Sequence, residues 1–331
     1  MRRRLACLLA LVLAVGSPAP AAAYLKYGVE VNGRAVDIGW GPGPIRYFVT
    51  ERGGPGVTAD ELAAAVDRAF QTWGAVETAT VTPAFQGFTV APPGAADGRS
   101  TLGFLDRPDL DRVLGATSFL LDTATGAIIE ADVFFNTRFD WSTADAGVPG
   151  RVDLQSVALH EIGHLLGLGH SAIGETELLP SGGRRVIASG AVMFPVAFAA
   201  GSTANRVLTP DDIAGVSDLY PAAGFLDRSG SVSGRVTLDG AGVFGAHVLA
   251  LDVRTGAVVG GFTLNDRGEF VVAGLEPGPH ILRVEPLDDA DTEGFFTGPV
   301  ETGFAVAYGP GLVVAPRGGT SDRVEIKVSR R

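Results

Sequence analysis

The chain contains three closely spaced histidines in the stretch His160-Glu161-Ile162-Gly163-His164-Leu165-Leu166-Gly167-Leu168-Gly169-His170. On an α-helix, His160 and His164 lie four residues apart, so both imidazoles emerge from one face. Gly167 can adopt a positive φ, which ends the helix and turns the chain so that His170 returns to the same point. Three neutral imidazoles are good zinc ligands and leave a fourth position open for water. The spacing therefore predicts a catalytic zinc site.

Glu161 follows the first of these histidines, so it lies beside the metal face without binding the ion. There it can take a proton from a zinc-bound water, whose pKa falls from ~15.7 to ~7, and pass it to a leaving amine. Two other interpretations remain: a helix whose histidines only satisfy core polarity, and a structural zinc beside an idle Glu161. Three of the five histidines fall within this one window, which favours the metal site.

The N-terminus has the features of an export signal. Three arginines at positions 2–4 precede the apolar run Leu5–Val15, and the small residues 21–23 suit cleavage before Tyr24. An N-terminal membrane anchor is the alternative, but the run is too short to span a bilayer comfortably. We expect residues 1–23 to be a signal peptide and the mature protein to be secreted, with the periplasm or the cell surface as other destinations.

Composition excludes several classes of function. Cys7 is the only cysteine and lies in the signal, so disulfides, cysteine ligands and cysteine nucleophiles are ruled out for the mature chain. A net charge of −11 without a Lys/Arg run argues against nucleic-acid binding. No second apolar stretch is long enough for a membrane span. We expect a monomer.

The chain divides into two regions of different pattern. Residues 24–222 mix strand and helix signals, whereas residues 231–331 alternate short strands with turns, and residues 223–230 form the expected linker. The sequence therefore predicts an α+β domain followed by an all-β sandwich domain.

Three helices are expected in the first region, each with a capping signal. A capping box begins the first at Thr58, and the helix ends at Gly74. Asp153 caps the second, which runs to about Leu166, and Thr209 caps the third. Strands are predicted at 45–49, 113–121 and 127–136, and in the tail at 231–238, 243–252, 262–264, 270–272 and 281–284.

Residues 160–170 resemble the metzincin signature, and flanking residues resemble its matrixin branch, the matrix metalloproteinase type. The flanking matches are Ser171, Ala191–Pro195, Leu208–Tyr220 and Ala69–Trp73. The resemblance covers about Trp40–Pro221 and implies a twisted mixed sheet with three helices. It also implies that Met193 lies beneath the zinc, that Phe194 gives no fifth ligand, and that Tyr220 belongs to the core of the last helix.

The chain departs from the matrixin pattern in several ways. Val113–Trp141 contains no histidine and Phe134 stands where one ligand would be, so we expect no second, structural zinc. Ca²⁺ could bind near Asp122, Asp132 or Asn136, although isolated loop acids are usually only solvated. We expect no inhibitory pro-domain of the cysteine-switch kind, because few residues precede Trp40 and no thiol is available to cap the zinc.

The matrixin resemblance also implies how a substrate would bind. A peptide would lie extended along an edge strand near Leu114–Thr117, with Pro195 and Phe198 as walls of a side-chain pocket. The 22 residues between His170 and Met193 exceed the usual family length. This loop, which includes Ser181–Arg185, is either a surface insertion or a flank of the cleft.

The tail resembles a carboxypeptidase-regulatory-like domain, a module of secreted bacterial proteins without chemistry of its own. The matching stretches are 245–248, 265–270 and 274–278. We expect His247 and His280 to be surface or half-buried packing residues on its strands, not ligands.

The leading hypothesis is a secreted zinc metalloendopeptidase that hydrolyses internal peptide bonds with a Glu161-activated, zinc-bound water. The alternative is a non-catalytic extracellular binding or adhesion protein with a structural or vestigial zinc site. The retained Glu161 favours the enzyme, because adhesion needs neither a base nor an open ligand position. A self-processing protein would share the same active site.

Overall fold

The computed structural model describes residues 26–31, 34–178, 184–287, 295–296 and 299–331. The expected signal peptide lies outside these residues. Within them, no helix has the length and apolarity that a bilayer span requires. Two main hydrophobic cores form, one from residues between 38 and 216 and one from residues between 214 and 328. We call residues 26–221 the N-terminal region and residues 230–331 the C-terminal region.

The N-terminal region is built on a six-stranded mixed sheet. Five strands run parallel in the order β3-β8-β6-β4-β5, and β7 pairs antiparallel with β8. In the described part of the chain β8 is the one partner of β7, which makes β7 an edge strand. The bounds are β1 Gly28–Val31, β2 Arg34–Asp37, β3 Gly39–Trp40, β4 Ile45–Thr50, β5 Pro83–Thr89, β6 Ser100–Leu105, β7 Gly115–Leu121, β8 Ala127–Asn136, β9 Trp141–Ser142, β10 Val152–Asp153, β11 Gly174–Leu178 and β12 Arg184–Ser189.

The helices of this region begin at the predicted capping residues. They are α1 (Ala59–Gly74), α2 (Leu154–Leu165) and α3 (Pro210–Leu219). Thr58 and Glu61 form the predicted capping box. The expected linker holds a further short helix, α4 (Phe225–Arg228), whose Phe225 side chain is buried.

Packing of α1 against α2 and the sheet forms the first core. Leu62, Phe70 and Trp73 are fully buried on one face of α1. The indole of Trp73 donates its N–H to Leu159 O at 2.9 Å, so this large side chain enters the core without an unpaired donor. Burial of each such side chain stabilises the folded protein by about 1.5–3 kcal/mol. The contacts between α1 and α2 thereby hold α2 in place.

The C-terminal region consists of two four-stranded sheets that share the second core. One has the order β14-β13-β17 with β20 on β13, and the other has the order β16-β15-β18-β19. The bounds are β13 Gly230–Leu238, β14 Ala241–Gly242, β15 His247–Asp252, β16 Val258–Phe262, β17 Glu269–Leu275, β18 Gly278–Glu285, β19 Ala307–Ala315 and β20 Thr320–Val328. The α+β class and the β-rich C-terminus are therefore as predicted.

The tail differs from the prediction in several details. β15 begins at His247 and not at 243, most of β16 precedes the expected range, and β14, β19 and β20 were not predicted. The strand expected at 262–264 ends at Phe262, because the Thr263 hydroxyl and the Asn265 side chain accept backbone N–H groups from elsewhere and turn the chain. His247 and His280 are buried at 1% exposure, and not at the surface, because they lie on the inner strands β15 and β18.

The two regions meet at the N-terminus of α3. Asp211 Oδ1 accepts the backbone N–H of Gly260 in β16 at 2.8 Å, and its Oδ2 accepts the hydroxyl of Ser171 at 2.6 Å. Ala214 packs into the second core, where Gly274 leaves the space for it. One buried carboxylate therefore joins both regions.

Asp211 should make stability depend on pH. Burial, and then the neighbouring Asp212, raise the pKa of Asp211 from its ordinary 3.8 to about 7. Between these values the folded protein holds a proton that the unfolded chain has released, so this group's contribution to the free energy of unfolding should fall as pH rises from about 4 to about 7. We expect Asp211→Asn to remove that part of the dependence in urea unfolding measured from about pH 5 to about pH 8. A pH-independent difference between the two proteins would contradict this assignment.

Candidate metal centre

Helix α2 carries the first two histidines through the protein interior. Ten of its twelve residues are buried. Its N-cap Asp153 accepts the Ser156 N–H at 2.9 Å and also pairs with Arg206 at 2.5 Å. The cap satisfies a helix N–H that burial would otherwise leave unpaired, and the arginine balances the carboxylate. The helix is therefore anchored at the end remote from the centre.

Gly167 makes the turn that was predicted after the helix. Its φ is +103°, and a Cβ at this position would lie 2.6 Å from Ile38 O. The Gly167 N–H bonds to His164 O at 2.7 Å and the Leu168 N–H to Gly163 O at 3.0 Å, which closes the last turn of the helix. The chain then leads directly to His170.

The structure brings the three predicted ligands together. One nitrogen from each of His160, His164 and His170 lies within 4.8 Å of the others. The Nε2 atoms of His164 and His170 are 3.2 Å apart. Two nitrogens bound tetrahedrally to one zinc at 2.0–2.1 Å would be separated by about 3.3 Å. The histidine cluster therefore fits a tetrahedral zinc site.

Backbone carbonyls set the orientation of two imidazoles. His160 Nδ1 lies 2.8 Å from Val192 O, and His164 Nδ1 lies 2.8 Å from Leu168 O. A carbonyl can only accept, so both Nδ1 atoms carry the hydrogen and both Nε2 atoms keep a lone pair for a metal. Burial, and then the charge of His170, lower the pKa of His160 to about 4, and burial also lowers that of His164. Both rings are therefore neutral at neutral pH.

Tyr27 is a neighbour of the centre that sequence analysis missed. Its ring stacks on His164 with centroids 5.4 Å apart, and its Oη lies 3.1 Å from His164 Nδ1. The backbone N–H of Tyr27 donates to Gly167 O at 2.9 Å, which joins it to the turn. No motif marks this tyrosine, which lies 137 positions from His164.

Glu161 is buried at 5% exposure and lies next to His160 in the helix. Burial raises the pKa of its carboxyl to about 7, against the lowering effect of a hydrogen bond from Thr117. Thr117 Oγ1 lies 2.9 Å from Glu161 Oε2. The matrixin resemblance implied that Thr117 lies on the edge strand, but no sequence pattern predicted this contact.

Met193 lies against the underside of α2. It is buried, and a Cβ on Gly163 would collide with its Sδ, so glycine permits this close approach. Asp212 holds the turn by accepting the N–H groups of Val192 at 2.9 Å and Met193 at 3.1 Å. The same turn supplies the carbonyl that orients His160. Phe194 is buried against Gly174, and Tyr220 donates its hydroxyl to Leu166 O.

The C-terminal region reaches the metal centre through Phe295. The rings of Phe295 and His170 have centroids 6.0 Å apart at an angle of 74°. Phe295 is buried and packs against Phe262 of β16 at 5.7 Å. No sequence pattern predicted a contact between the tail and the centre.

The long segment before Met193 forms the hairpin β11–β12, and residues 181–183 of the loop predicted there lie outside the described residues. Pro195 and Phe198, the expected pocket walls, are half-buried. Phe134 is half-buried beneath the Arg107 guanidinium, 5.3 Å from the ring centroid. The absence of a structural zinc stays a prediction.

The three side chains considered for calcium already bind the backbone. Asp122 accepts the Ala124 N–H, and both oxygens of Asp132 accept N–H groups from Gly94 and Thr101. The Asn136 amide donates to three carbonyls of residues 107–113. Calcium binding therefore stays a prediction without added support from these contacts.

The turn at Gly167 can be tested by substitution. Gly167→Ala should destabilise the protein by about 1–3 kcal/mol and weaken zinc binding, since it strains the backbone and crowds Ile38 O on the path to His170. Gly41→Ala is the control, because a Cβ there has no neighbour within 4 Å. Thermal unfolding and zinc titration provide the measurements. Equal stability and zinc affinity in the two variants would rule out the role of the turn.

Asp212 can be tested in the same way. Asp212→Ala leaves the Val192 and Met193 N–H groups without their acceptor, so we expect a loss of about 3 kcal/mol in the free energy of unfolding. Zinc affinity should fall about 10-fold, because Val192 O no longer holds His160 in place. The control is Asp60→Ala, an exposed acid in the first turn of α1. An unchanged zinc affinity in Asp212→Ala would show that the turn orients His160 without this carboxylate.

Comparison with known proteins identifies relatives of the N-terminal region. The family model described as Matrixin (Peptidase_M10) matches residues 39–221. Metalloendoproteinase 2-MMP of Arabidopsis thaliana is 34% identical over 130 residues, 37% of this chain and 29% of that protein. Metalloendoproteinase 5-MMP of the same plant is 30% identical over 189 residues, 53% of this chain and 44% of that protein. The chain thus spans less than half the length of these relatives.

Among solved structures, the Bacillus anthracis TIE protein aligns with 31% of this chain and 17% of its own, at 16% identity and a TM-score of 0.21, which is too low to bear on the fold. The matrixin match instead extends from β3 to the residue that follows Tyr220, and it includes all three histidines and Met193. Because this match covers more than half of the chain, the protein belongs to the matrixin family.

Proposed function

We propose that this protein is an exported zinc-dependent metalloendopeptidase that cleaves internal peptide bonds of proteins. The observation that carries the proposal is the convergence of three histidine nitrogens beside the buried carboxylate of Glu161. Membership of the matrixin family, whose members use zinc, supports it.

Each residue of the centre has a proposed role. His160, His164 and His170 would hold the zinc, which when bound would activate a water and polarise the scissile carbonyl. Glu161 would accept the proton of the attacking water and deliver it to the leaving amine. The carbonyls of Val192 and Leu168 keep two ligand rings turned with Nε2 free.

A peptide substrate would bind along β7. This strand pairs with β8 on one side, so its other edge can offer backbone groups to an extended chain. Thr117 of β7 contacts Glu161, so the strand edge runs beside the proposed base. Pro195 and Phe198 are the proposed walls of the side-chain pocket.

The remaining organisation is also part of the proposal. Residues 1–23 would direct export, residues 24–222 would form the catalytic domain, and residues 231–331 would form an accessory module resembling a carboxypeptidase-regulatory-like domain. The contact between Asp211 and Gly260 supports a stabilising role for that module. We propose that the mature protein is a secreted monomer.

Proteolysis by the mature chain, from Tyr24 onward, tests the proposal. The protein should bind one zinc and digest casein, and a chelator should abolish the activity. Glu161→Gln should keep the zinc and lose about 10²–10⁴-fold in rate, the usual contribution of a general base. The exposed Glu175→Gln is the matched control and should stay active.

The other outcomes separate the alternatives. Both the wild-type protein and Glu161→Gln could bind one zinc without either protein cleaving casein or its own chain. That outcome would favour the hypothesis of a non-catalytic binding protein. Cleavage of its own chain with no action on other proteins would indicate self-processing. If the wild-type protein holds no zinc, the assignment of the metal centre is wrong.

A further inference from the structure

The hydroxyl of Thr117 joins the edge strand β7 to the proposed general base. Thr117 Oγ1 lies 2.9 Å from Glu161 Oε2 and 3.0 Å from the backbone carbonyl oxygen of Glu161. Both oxygens are acceptors here, so the single hydroxyl hydrogen is shared between the carboxylate and the helix backbone. The contact links β7 to α2 across 44 positions of sequence.

The surroundings leave the Glu161 carboxylate little room. Its other oxygen faces Gly115, where a Cβ would lie 3.2 Å from Oε1 and 2.9 Å from Phe134 O. Glycine at 115 therefore creates the space that the carboxylate occupies, and Thr117 supplies a donor for it within the described structure. Without that donor, the Glu161 carboxylate, buried at 5% exposure, would have an unpaired oxygen. Because the side chain is long and flexible, it would rotate toward a different hydrogen-bond donor.

We propose that Thr117 is a positioning residue for the reaction: it holds the Glu161 carboxylate in one orientation relative to the ligands and to the strand along which substrate binds. This inference rests on the proposed function. The backbone of Thr117 is part of β7, along which substrate would bind, and its hydroxyl contacts the proposed base, Glu161. A peptide aligned on β7 is therefore aligned with Glu161 as well.

A purely structural clip is the competing role for Thr117, because its hydroxyl also reaches the helix carbonyl. The two roles differ in what they change. A clip would alter stability and metal binding, whereas a positioning residue alters turnover of bound substrate with the metal in place.

Three substitutions in the full mature chain separate these roles. Thr117→Val keeps the shape of the side chain and removes the hydroxyl, whereas Thr117→Ser keeps the hydroxyl. Thr72→Val is the matched control, because the Thr72 hydroxyl likewise donates to a helix carbonyl, Arg68 O at 2.9 Å, but within α1. Zinc content, melting temperature, and kcat and KM on a casein-derived peptide are measured for each.

We expect Thr117→Val to lower kcat about 10–100-fold, the usual range for a residue that orients a catalytic group. Its KM should stay within about 2-fold and its zinc content should equal that of wild type. Thr117→Ser should recover most of the rate, and Thr72→Val should match wild type. Wild-type kcat in Thr117→Val, or equal losses in the Val and Ser variants, would overturn the proposal.

A crystal structure of zinc-loaded Thr117→Val gives a test that does not depend on activity. The carboxylate of Glu161 should leave its wild-type orientation or become disordered. If it keeps the wild-type rotamer, Thr117 does not position it. A wild-type protein that cleaves no peptide would refute the proposed function. The orientation of Glu161 in the crystal structure of the Thr117→Val variant would still decide the role of Thr117.

Discussion

The constraint on which the site depends is that polar side chains on a buried helix must find partners. Helix α2 carries His160, Glu161 and His164 through the interior, where an unpaired polar group costs several kcal/mol. Their partners are Val192 O, Thr117 Oγ1 and Leu168 O, which come from three separate segments. The turn with Val192, the strand with Thr117 and the loop with Leu168 therefore all contact the same part of α2.

Two adjacent acids in the first turn of α3, Asp211 and Asp212, bind different parts of the chain. Asp212 accepts the N–H groups of the turn that bears Met193, and so supports the carbonyl that holds His160. Asp211 accepts the hydroxyl of Ser171 and the N–H of Gly260. One end of a short helix therefore supports the metal centre and joins the C-terminal region to it.

The C-terminal region contacts the centre as well as the helix. Phe295 lies beside the ring of His170 and rests on Phe262 of β16. Gly260 and Ile173 pack together at the same junction. The C-terminal region therefore packs against both the ring of His170 and the buried carboxyl group of Asp211.

Features that depend on local spacing could be predicted from the sequence alone. The histidine cluster, the turn at Gly167 and the caps at Thr58 and Asp153 all follow from residues a few positions apart, which share a helix face or a turn. The groups that pair with the site could not be predicted, because they come from distant parts of the chain. Val192 O lies 32 positions from His160, and Thr117 lies 44 from Glu161. Such contacts depend on how strands and helices pack, and no local pattern records them.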